Sequence, residues 1–359
     1  MLATFEAVTS PLISTHLRSV VCVLLLALLG ASCSKQTADK RADGLETVVL
    51  RYQGYPTLVG VTELAAELGF LAPIKLEYTG STISGPQNIQ AVASGDVDFG
   101  GAFNGAVVKL IASKVPVRAL IAYYGTDAES NSGFYVLPDS PIKSGKDLIG
   151  KKVAVNTLGA HSEFMLREYL ARQGLTSEQA KQVQMVVLPP GSAEQALRDG
   201  QVDVSAMQTL LYEKALPRGP LRLLFSDHQL FGDFNAGSYV MRNDFIEKNP
   251  NTVRHFVRAS ARAIEWARSH PREEVIARLE KTLKRRGSHE DLTQLKYWRS
   301  TTVATKNGVM RPQDFQLWID WLVKDGQLAA GQVTPEQIYT NAYQEGSVPL
   351  ATRAQQGVR

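Results

Sequence analysis

Residues 91–98 read AVASGDVD, and residues 196–203 read ALRDGQVD. In both stretches a helical segment ends at a glycine, Gly95 or Gly200, and a Val-Asp pair follows one residue later. Glycine closes helices because it adopts the left-handed conformation without a Cβ penalty. Each stretch is therefore typical of a helix closed by glycine and followed by a strand. Their recurrence predicts two similar α/β halves in tandem rather than one continuous sheet.

Outward from these stretches, short apolar runs alternate with helical segments. Strands alternating with helices of about ten residues indicate parallel βαβ units. The last third of the chain is mostly helical in pattern, over 249–270, 271–284 and 314–326. The predicted strands are VVLRYQ (48–53), IKLEYTG (74–80), DVDFGGAF (96–103), VRALIAYYG (117–125), KKVAVN (151–156), VQMVVLPP (183–190) and QVDVSAM (201–207).

Length and charge narrow the class of protein. The chain has 359 residues, 44% of them hydrophobic and 21% charged, which is enough for one large domain or two ordinary ones. Its net charge of +4 is small, and no dense basic stripe is interleaved with aromatics, so we do not expect a nucleic-acid partner. The run KTLKRR (281–286) is interpreted as a solvated helix end.

The first 33 residues have the pattern of an export signal. Arg18 precedes an apolar run over 19–30 that is too short to span a bilayer. The segment LLGASC resembles a bacterial lipobox, in which Cys33 is lipidated, although Gly30 stands where a branched aliphatic is usual. We expect a lipoprotein-type signal peptide over 1–33, a flexible tether over 34–44 and a polar tail over 346–359. Membrane attachment is then expected only through a lipid on Cys33.

Longer segments carry a family resemblance. They are YQGY (52–55), the repeat in both halves, SGKDLIGKKVAVNTLGAHSEFML (144–166), GSYVMRNDFIEKNPNTVRHF (237–256) and DFQLWIDWLVKDGQL (314–328). Together these segments resemble solute-binding proteins of ABC importers in the nitrate/sulfonate/taurine group (SsuA/THI5-like, NMT1-type). The resemblance implies a bilobed α/β fold of the type II periplasmic-binding-protein kind. In that fold two parallel or mixed sheets, flanked by helices, are joined by crossover strands, here near 132–138 and 234–241. Lobe 1 would comprise 45–133 plus 236–345, and lobe 2 would comprise 134–235.

Ligands of open α/β sheets bind beyond the carboxyl ends of the strands. The loops at those ends hold small polar and aromatic residues but no Arg or Lys, so we expect recognition by neutral donors and by helix N-termini, which favour an anion. The alternatives are that Ser162 caps a helix, that His161 is solvated, and that Tyr55, Thr82 and Asn104 serve core packing or turns. Asp98 and Asp203 are interpreted as structural, fixing the loops beneath the cleft. The candidate ligand contacts are Gln53, Tyr55, Ser81, Thr82, Phe103, Asn104, Thr157, His161, Ser162 and Gln208.

The resemblance implies a function. A monomeric, exported protein would capture a small solute, anionic like a sulfonate, nitrate or taurine, and deliver it to the permease and ATPase of an ABC importer without a cofactor. A neutral or aromatic solute, such as a pyrimidine precursor or an aromatic acid, remains an alternative. Two further alternatives are an enzyme of the same fold, with acid–base chemistry at His161, and an exported sensor. Against an enzyme, the six histidines show no metal-binding spacing and the only cysteines are Cys22 and Cys33.

Overall fold

The computed structural model describes residues 44–287 and 291–346. The predicted signal peptide and Cys33 fall outside these residues, as does almost all of the predicted tether and polar tail. Within the described ranges, no helix combines the length and apolar character needed to cross a bilayer.

The helices and strands follow the predicted alternation. The strands are β1 (Val49–Gly54), β2 (Lys75–Ser81), β3 (Gly100–Phe103), β4 (Val117–Thr126), β5 (Ser132–Val136), β6 (Lys152–Val155), β7 (Gln184–Val187), β8 (Val204–Gln208), β9 (Arg222–Ser226) and β10 (Phe234–Arg242). The α-helices are α1 (Val61–Glu67), α2 (Gly85–Ser94), α3 (Asn104–Ala112), α4 (His161–Arg172), α5 (Ser177–Ala180), α6 (Pro190–Arg198), α7 (Thr209–Ala215), α8 (Asp227–Phe231), α9 (Asn243–Lys248), α10 (Pro250–Ser269), α11 (Arg272–Arg285), α12 (Gln313–Lys324) and α13 (Pro335–Ile338).

The strands form three sheets. β1 and β2 pair in parallel, and β10 lies between β3 and β4, antiparallel to both. The third sheet has the order β7-β6-β8-β5-β9, in which β6 runs parallel to β7 and β8 while β5 runs antiparallel to β8 and β9. The predicted α/β fold class, with mixed sheets flanked by helices, is confirmed.

The two groups of strands have the same arrangement. The first group has the order β2-β1 and then β3-β10-β4, and the second group has the order β7-β6-β8-β5-β9. Strands at the same position in the two orders correspond to each other. In each group the fourth position holds an antiparallel strand, β10 or β5. The chain enters this strand directly from the other group, since β9 leads to β10 and β4 leads to β5. These two passages, at 127–131 and 227–233, lie close to the predicted crossovers. The lobe boundaries themselves remain a prediction, since the described residues from Leu45 to Gly346 belong to one compact unit.

The repeated aspartates make the same pair of hydrogen bonds in each half. The Arg51 N–H donates to Asp98 Oδ2 at 2.8 Å, and the Asp98 N–H donates back to the Arg51 carbonyl at 3.0 Å. In the second half Lys152 and Asp203 exchange the same two bonds, at 2.8 and 2.9 Å. Each aspartate thus attaches the turn after a helix to a strand of its half, β1 or β6, in line with its interpretation as structural.

The number of sheets differs from the expected two, because the first half divides its strands between two sheets. β3 begins only at Gly100, whereas the pattern predicts a strand from residue 96. No ladder joins β1 and β3 within the described residues. The bond from the Arg51 N–H to Asp98 does not explain this, because Asp203 takes the Lys152 N–H in the same way and β6 still pairs with β8.

The long helix α10 covers the first half. Pro250 occupies its first turn, where a missing N–H costs nothing, and its buried face presents Val253, Phe256, Val257 and Ile264 at helical spacing. A bond of 2.7 Å between the hydroxyls of Ser260 and Thr62 fixes it against α1. The helix predicted over 249–270 is confirmed.

The two repeated aspartates give a matched pair of stability predictions. Asp98 also binds the Arg51 guanidinium, and its side chain is 10% exposed against 37% for Asp203. We expect Asp98→Ala to lower the free energy of unfolding by about 2 kcal/mol because it leaves buried donors unpaired. Asp203→Ala should cost about half as much because water replaces the lost acceptor. Urea unfolding measures both, and an equal or reversed order would contradict the burial argument.

Glu194 on α6 predicts a pH dependence of stability. Burial alone would raise the pKa of its carboxyl, but hydrogen bonds from Arg218 and Arg198 outweigh burial and hold this pKa below the ordinary value of 4.5. A lowered folded-state pKa contributes stability that is present above about pH 4.5 and is lost as the pH falls through the lowered value. Glu194→Gln should therefore destabilise more at pH 7 than at pH 3 in urea unfolding. The same difference at both pH values would refute this.

Candidate functional site

Loops from the two groups of strands meet where their strands end. Ser84, which starts α2, and Thr157, which follows β6, bring their hydroxyl oxygens to 3.5 Å. The rings of Phe103, at the end of β3, and His161, at the start of α4, have centroids 5.1 Å apart. We call the region defined by these four residues the seam. Phe103 of one predicted loop is thus brought together with Thr157 and His161 of another.

One side of the seam is closed by aromatic side chains. The Phe103 ring lies 5.0 Å from Phe164 of α4 and 4.6 Å from Trp318 of α12. All three side chains are at most 2% exposed, so the larger core continues from one group of strands to the other. Phe103 therefore packs in this core, and it could contact a solute only as an apolar wall of the seam.

His161 faces a buried carboxylate at the seam. Its Nε2 lies 2.9 Å from Asp227 Oδ2, with side-chain exposures of 12% for His161 and 0% for Asp227. The two groups are close but poorly oriented for a hydrogen bond, and Nε2 makes none within the described residues. A buried polar atom without such a bond is costly and rare in folded proteins. The ring is therefore not solvated, and Nε2 lacks an aligned polar partner.

The start of α4 also leaves donors free. Ala160 occupies the cap position and has no side chain that can cap, so the interpretation of Ser162 as a capping residue is wrong. The Ser162 side chain is partly exposed, and among the described residues its hydroxyl has no hydrogen bond. The nearby Glu163 carboxylate is occupied by the Gly159 N–H and by Arg167, both at 2.7 Å. A hydroxyl and the helix-start N–H groups thus remain available beside His161.

Three tyrosines border the seam on the first group's side. The Tyr55 hydroxyl donates to the Gly101 carbonyl at 3.2 Å, and the rings of Tyr123 and Tyr124 lie 4.9 Å apart. Gly101 and Gly237 admit these rings, because a Cβ at either position would collide with one of them. Burial raises the pKa of all three phenols well above the ordinary value, yet each side chain keeps partial exposure. They therefore stay un-ionised beside the seam, with the Tyr55 proton already donated to the Gly101 carbonyl.

Tyr123, Tyr124 and Asp227 were absent from the predicted contacts. β10 pairs Gly237 with both Phe103 and Tyr124, so β3 and β4 run parallel and end at the same level. The strand-end rule applied to YYG (123–125) would have found the tyrosines. Nothing local in the sequence marks Asp227, because its neighbours in space come from other elements.

The remaining predicted contacts have varied environments. Gln53 accepts a bond of 3.2 Å from Asn88, and the Thr82 hydroxyl closes a turn with Ser84 at 3.1 Å. Ser81 and Gln208 are exposed at strand ends.

Asn104 is fully buried, and its amide group is fully engaged. Its NH₂ donates to the carbonyls of Asn235 and Asp314, and its oxygen accepts from Ser238. This matches the core-packing alternative, and we leave Asn104 out of the contacts proposed below.

Arg286 corrects the interpretation of KTLKRR as a solvated helix end. Its side chain is only 3% exposed and lies 3.3 Å from the Glu63 carboxylate. Its guanidinium donates to the carbonyls of Tyr55 and Leu58, at 3.2 and 2.8 Å. The loop that carries Tyr55 is therefore fixed from beneath by a buried ion pair, whereas Arg285 is exposed as expected.

A surface cavity of about 410 Å³ lies elsewhere, along α12. None of the predicted ligand loops contributes to its walls, which include Gln316, Asp320 and Lys324. It is an open depression beside a helix rather than a space at strand ends, so we assign it no ligand.

Residues 64–274 match the NMT1/THI5 like family. The chain belongs to that family. The resemblance predicted from the sequence is thereby confirmed.

Two relatives of known name are similar to about half of this chain. A protein of Escherichia coli (strain K12) named for aliphatic sulfonate binding is 30% identical over 202 residues, or 56% of this chain and 60% of that relative. A taurine-binding periplasmic protein of the same strain is 26% identical over 49% of this chain and 53% of its own length. The chain thus matches less than two thirds of the length of these relatives. Both relatives are named as binding proteins.

Solved structures share the fold. The periplasmic aliphatic sulphonate binding protein SsuA of Escherichia coli superposes with a TM-score of 0.63 at 22% identity, covering 87% of this chain and 96% of that one. The desulfurization enzyme DSZB also superposes, with a TM-score of 0.58 at 16% identity, covering 83% and 98%. The fold is therefore shared by binding proteins and by an enzyme.

Adjacent arginines test the support of the Tyr55 loop. Arg286→Ala should lower the free energy of unfolding by about 3–5 kcal/mol, because it leaves the Glu63 carboxylate buried without its cation. Arg285→Ala is the control, since Arg285 is exposed and Glu67 keeps Arg278 and Lys281 nearby, so the loss should be at most about 1 kcal/mol. Chemical unfolding of both variants measures the costs, and similar values would show that Arg286 is solvated after all.

Proposed function

We propose that this protein is the exported solute-binding component of an ABC importer, holding a small solute at the seam and delivering it to the permease. The observation that carries the proposal is His161 Nε2, which is nearly buried between two groups of strand ends and lacks an aligned hydrogen bond. A solute oxygen would supply that missing partner. The sulfonate- and taurine-binding relatives support the same role.

The proposed solute is an anion of the sulfonate, nitrate or taurine kind. The free N–H groups at the start of α4 and the Ser162 hydroxyl are suited to a tetrahedral or planar oxyanion. The phenol of Tyr124 adds a donor that stays neutral, because burial raises its pKa, whereas Tyr55 gives its proton to the Gly101 carbonyl and offers its ring. With Thr157 and His161, these residues form the proposed contact set. Capture without a lysine or arginine suits a solute that must later be released.

A neutral or aromatic solute is the second candidate. The observation that favours it is the aromatic enclosure of His161, whose ring centroid lies 5.1 Å from Phe103 and 6.0 Å from Tyr124. Flat rings bury well against such walls. The donors of the contact set would then bind ring carbonyl or carboxylate oxygens.

We propose that the solute leaves unaltered. Binding and release would proceed by hinge motion at the two passages, 127–131 and 227–233, as in other two-lobed binding proteins. The lipid on Cys33 would hold the protein at the outer face of the cytoplasmic membrane.

A binding panel tests the function. We expect the purified full-length protein to bind one member of a panel of butane-1-sulfonate, taurine, nitrate, benzoate and uracil at one molecule per chain. At a concentration 100 times the dissociation constant, binding should stabilise the fold by about 2.7 kcal/mol. Thermal shift and titration calorimetry measure both quantities. Chemical conversion of a panel member would refute the importer role in favour of an enzyme.

Two variants test the contact set with that panel compound. His161→Ala and Ser162→Ala should each weaken binding about tenfold, since each removes one donor to a charged acceptor. Ser177→Ala is the control, because Ser177 also lies at a helix start but is exposed and away from the seam. Full affinity in either seam variant would remove that residue from the site.

A further inference from the structure

A single carboxylate joins four parts of the chain beside the seam. Asp227 is the first residue of α8, and its side chain is completely buried. Its Oδ2 accepts a hydrogen bond of 2.6 Å from the Thr126 hydroxyl, and its Oδ1 accepts one of 3.0 Å from the Ser132 N–H. The same Oδ2 lies 2.9 Å from His161 Nε2.

The partners of Asp227 lie at the two passages between the groups of strands. Thr126 ends β4, and Ser132 begins β5, so they flank the first passage. Asp227 itself opens the second passage, 227–233, which leads to β10. His161 begins α4, whose start carries the proposed solute contacts. Both passages and the proposed binding helix are therefore joined at one side chain.

A buried carboxylate constrains its surroundings strongly. An ionised group out of water is tolerated only when hydrogen-bond donors or an opposite charge compensate it. Two donors come from the flanks of the first passage, and the imidazole of His161 lies beside the same Oδ2 that accepts from Thr126. With Oδ2 only 2.9 Å from Nε2, Asp227 limits how the His161 ring turns.

We infer that Asp227 is a positioning residue that orients His161 for the solute and links the ring to both passages between the strand groups. It acts on the solute only through His161. This inference rests on the proposed function, because it takes His161 to be a solute contact.

The chain contains a matched control pair. His228 Nε2 lies 3.0 Å from Asp233 Oδ1, which is the same chemistry at nearly the same distance. This pair is on the surface, with side-chain exposures of 31% and 63%. Asp233→Asn therefore removes an equivalent charge from the same short segment without touching the seam.

The test compares Asp227→Asn with Asp233→Asn in the full-length protein. The probe is butane-1-sulfonate, or the panel compound that the unaltered protein binds most tightly. We expect Asp227→Asn to raise the dissociation constant at least tenfold and Asp233→Asn to change it less than twofold. In a His161→Ala background, Asp227→Asn should cause less than a twofold further change, because interacting residues give non-additive effects.

Opposite results would overturn the inference. An unchanged dissociation constant in Asp227→Asn would do so, and so would the same loss with and without His161. If Asp227→Asn fails to fold, Thr126→Val takes its place, because it removes one bond to Oδ2 and leaves the charge. Its effect on affinity should likewise vanish in the His161→Ala background, and persistence there would count against the inference.

Failure of the proposed function has a different signature. In that case the unaltered protein binds no panel compound, and the Asp227–His161 cycle is measured on the unfolding equilibrium constant without solute. Coupling of at least tenfold for this pair, with less than twofold for Asp233–His228, would support the positioning role. Equal coupling in the two pairs would overturn it.

Discussion

The structure depends on one aromatic junction, where Phe103, Phe164 and Trp318 pack together between the two groups of strands. Burial of apolar surface is the main favourable term in folding, and here it makes one core from elements of both groups. The junction keeps one side of the seam dry. His161, which also faces Phe103, is thereby held at the boundary between this core and the polar edge of the seam.

Two copies of one motif bring the strand ends to that junction. In each half an aspartate ties the turn after a helix to the first strand through two backbone-directed bonds. The halves are not identical, since Asp98 adds an ion pair to Arg51 and its strand group is divided between two sheets. Their common strand order nevertheless directs the loops of both halves toward the same region, where a ligand of an α/β fold binds.

The polar edge of the seam combines neutral donors with buried charges that are already paired. Arg286 is held by Glu63 and by carbonyls of the Tyr55 loop, and Asp227 is held by Thr126 and Ser132. Charged groups therefore build the site without facing a solute directly.

The sequence by itself determined the alternation of strands and helices, the repeat with its structural aspartates, and the family, because these follow from local periodicity and motif order. It also placed Phe103, Thr157 and His161 at strand ends that meet. Only the tertiary structure decided that the Asn104 amide is fully hydrogen-bonded, to Asn235, Asp314 and Ser238. It also decided that Arg286 is buried and that Asp227 faces His161. These contacts join residues between 66 and more than 200 positions apart, and a local pattern carries no information about which distant group completes a hydrogen bond.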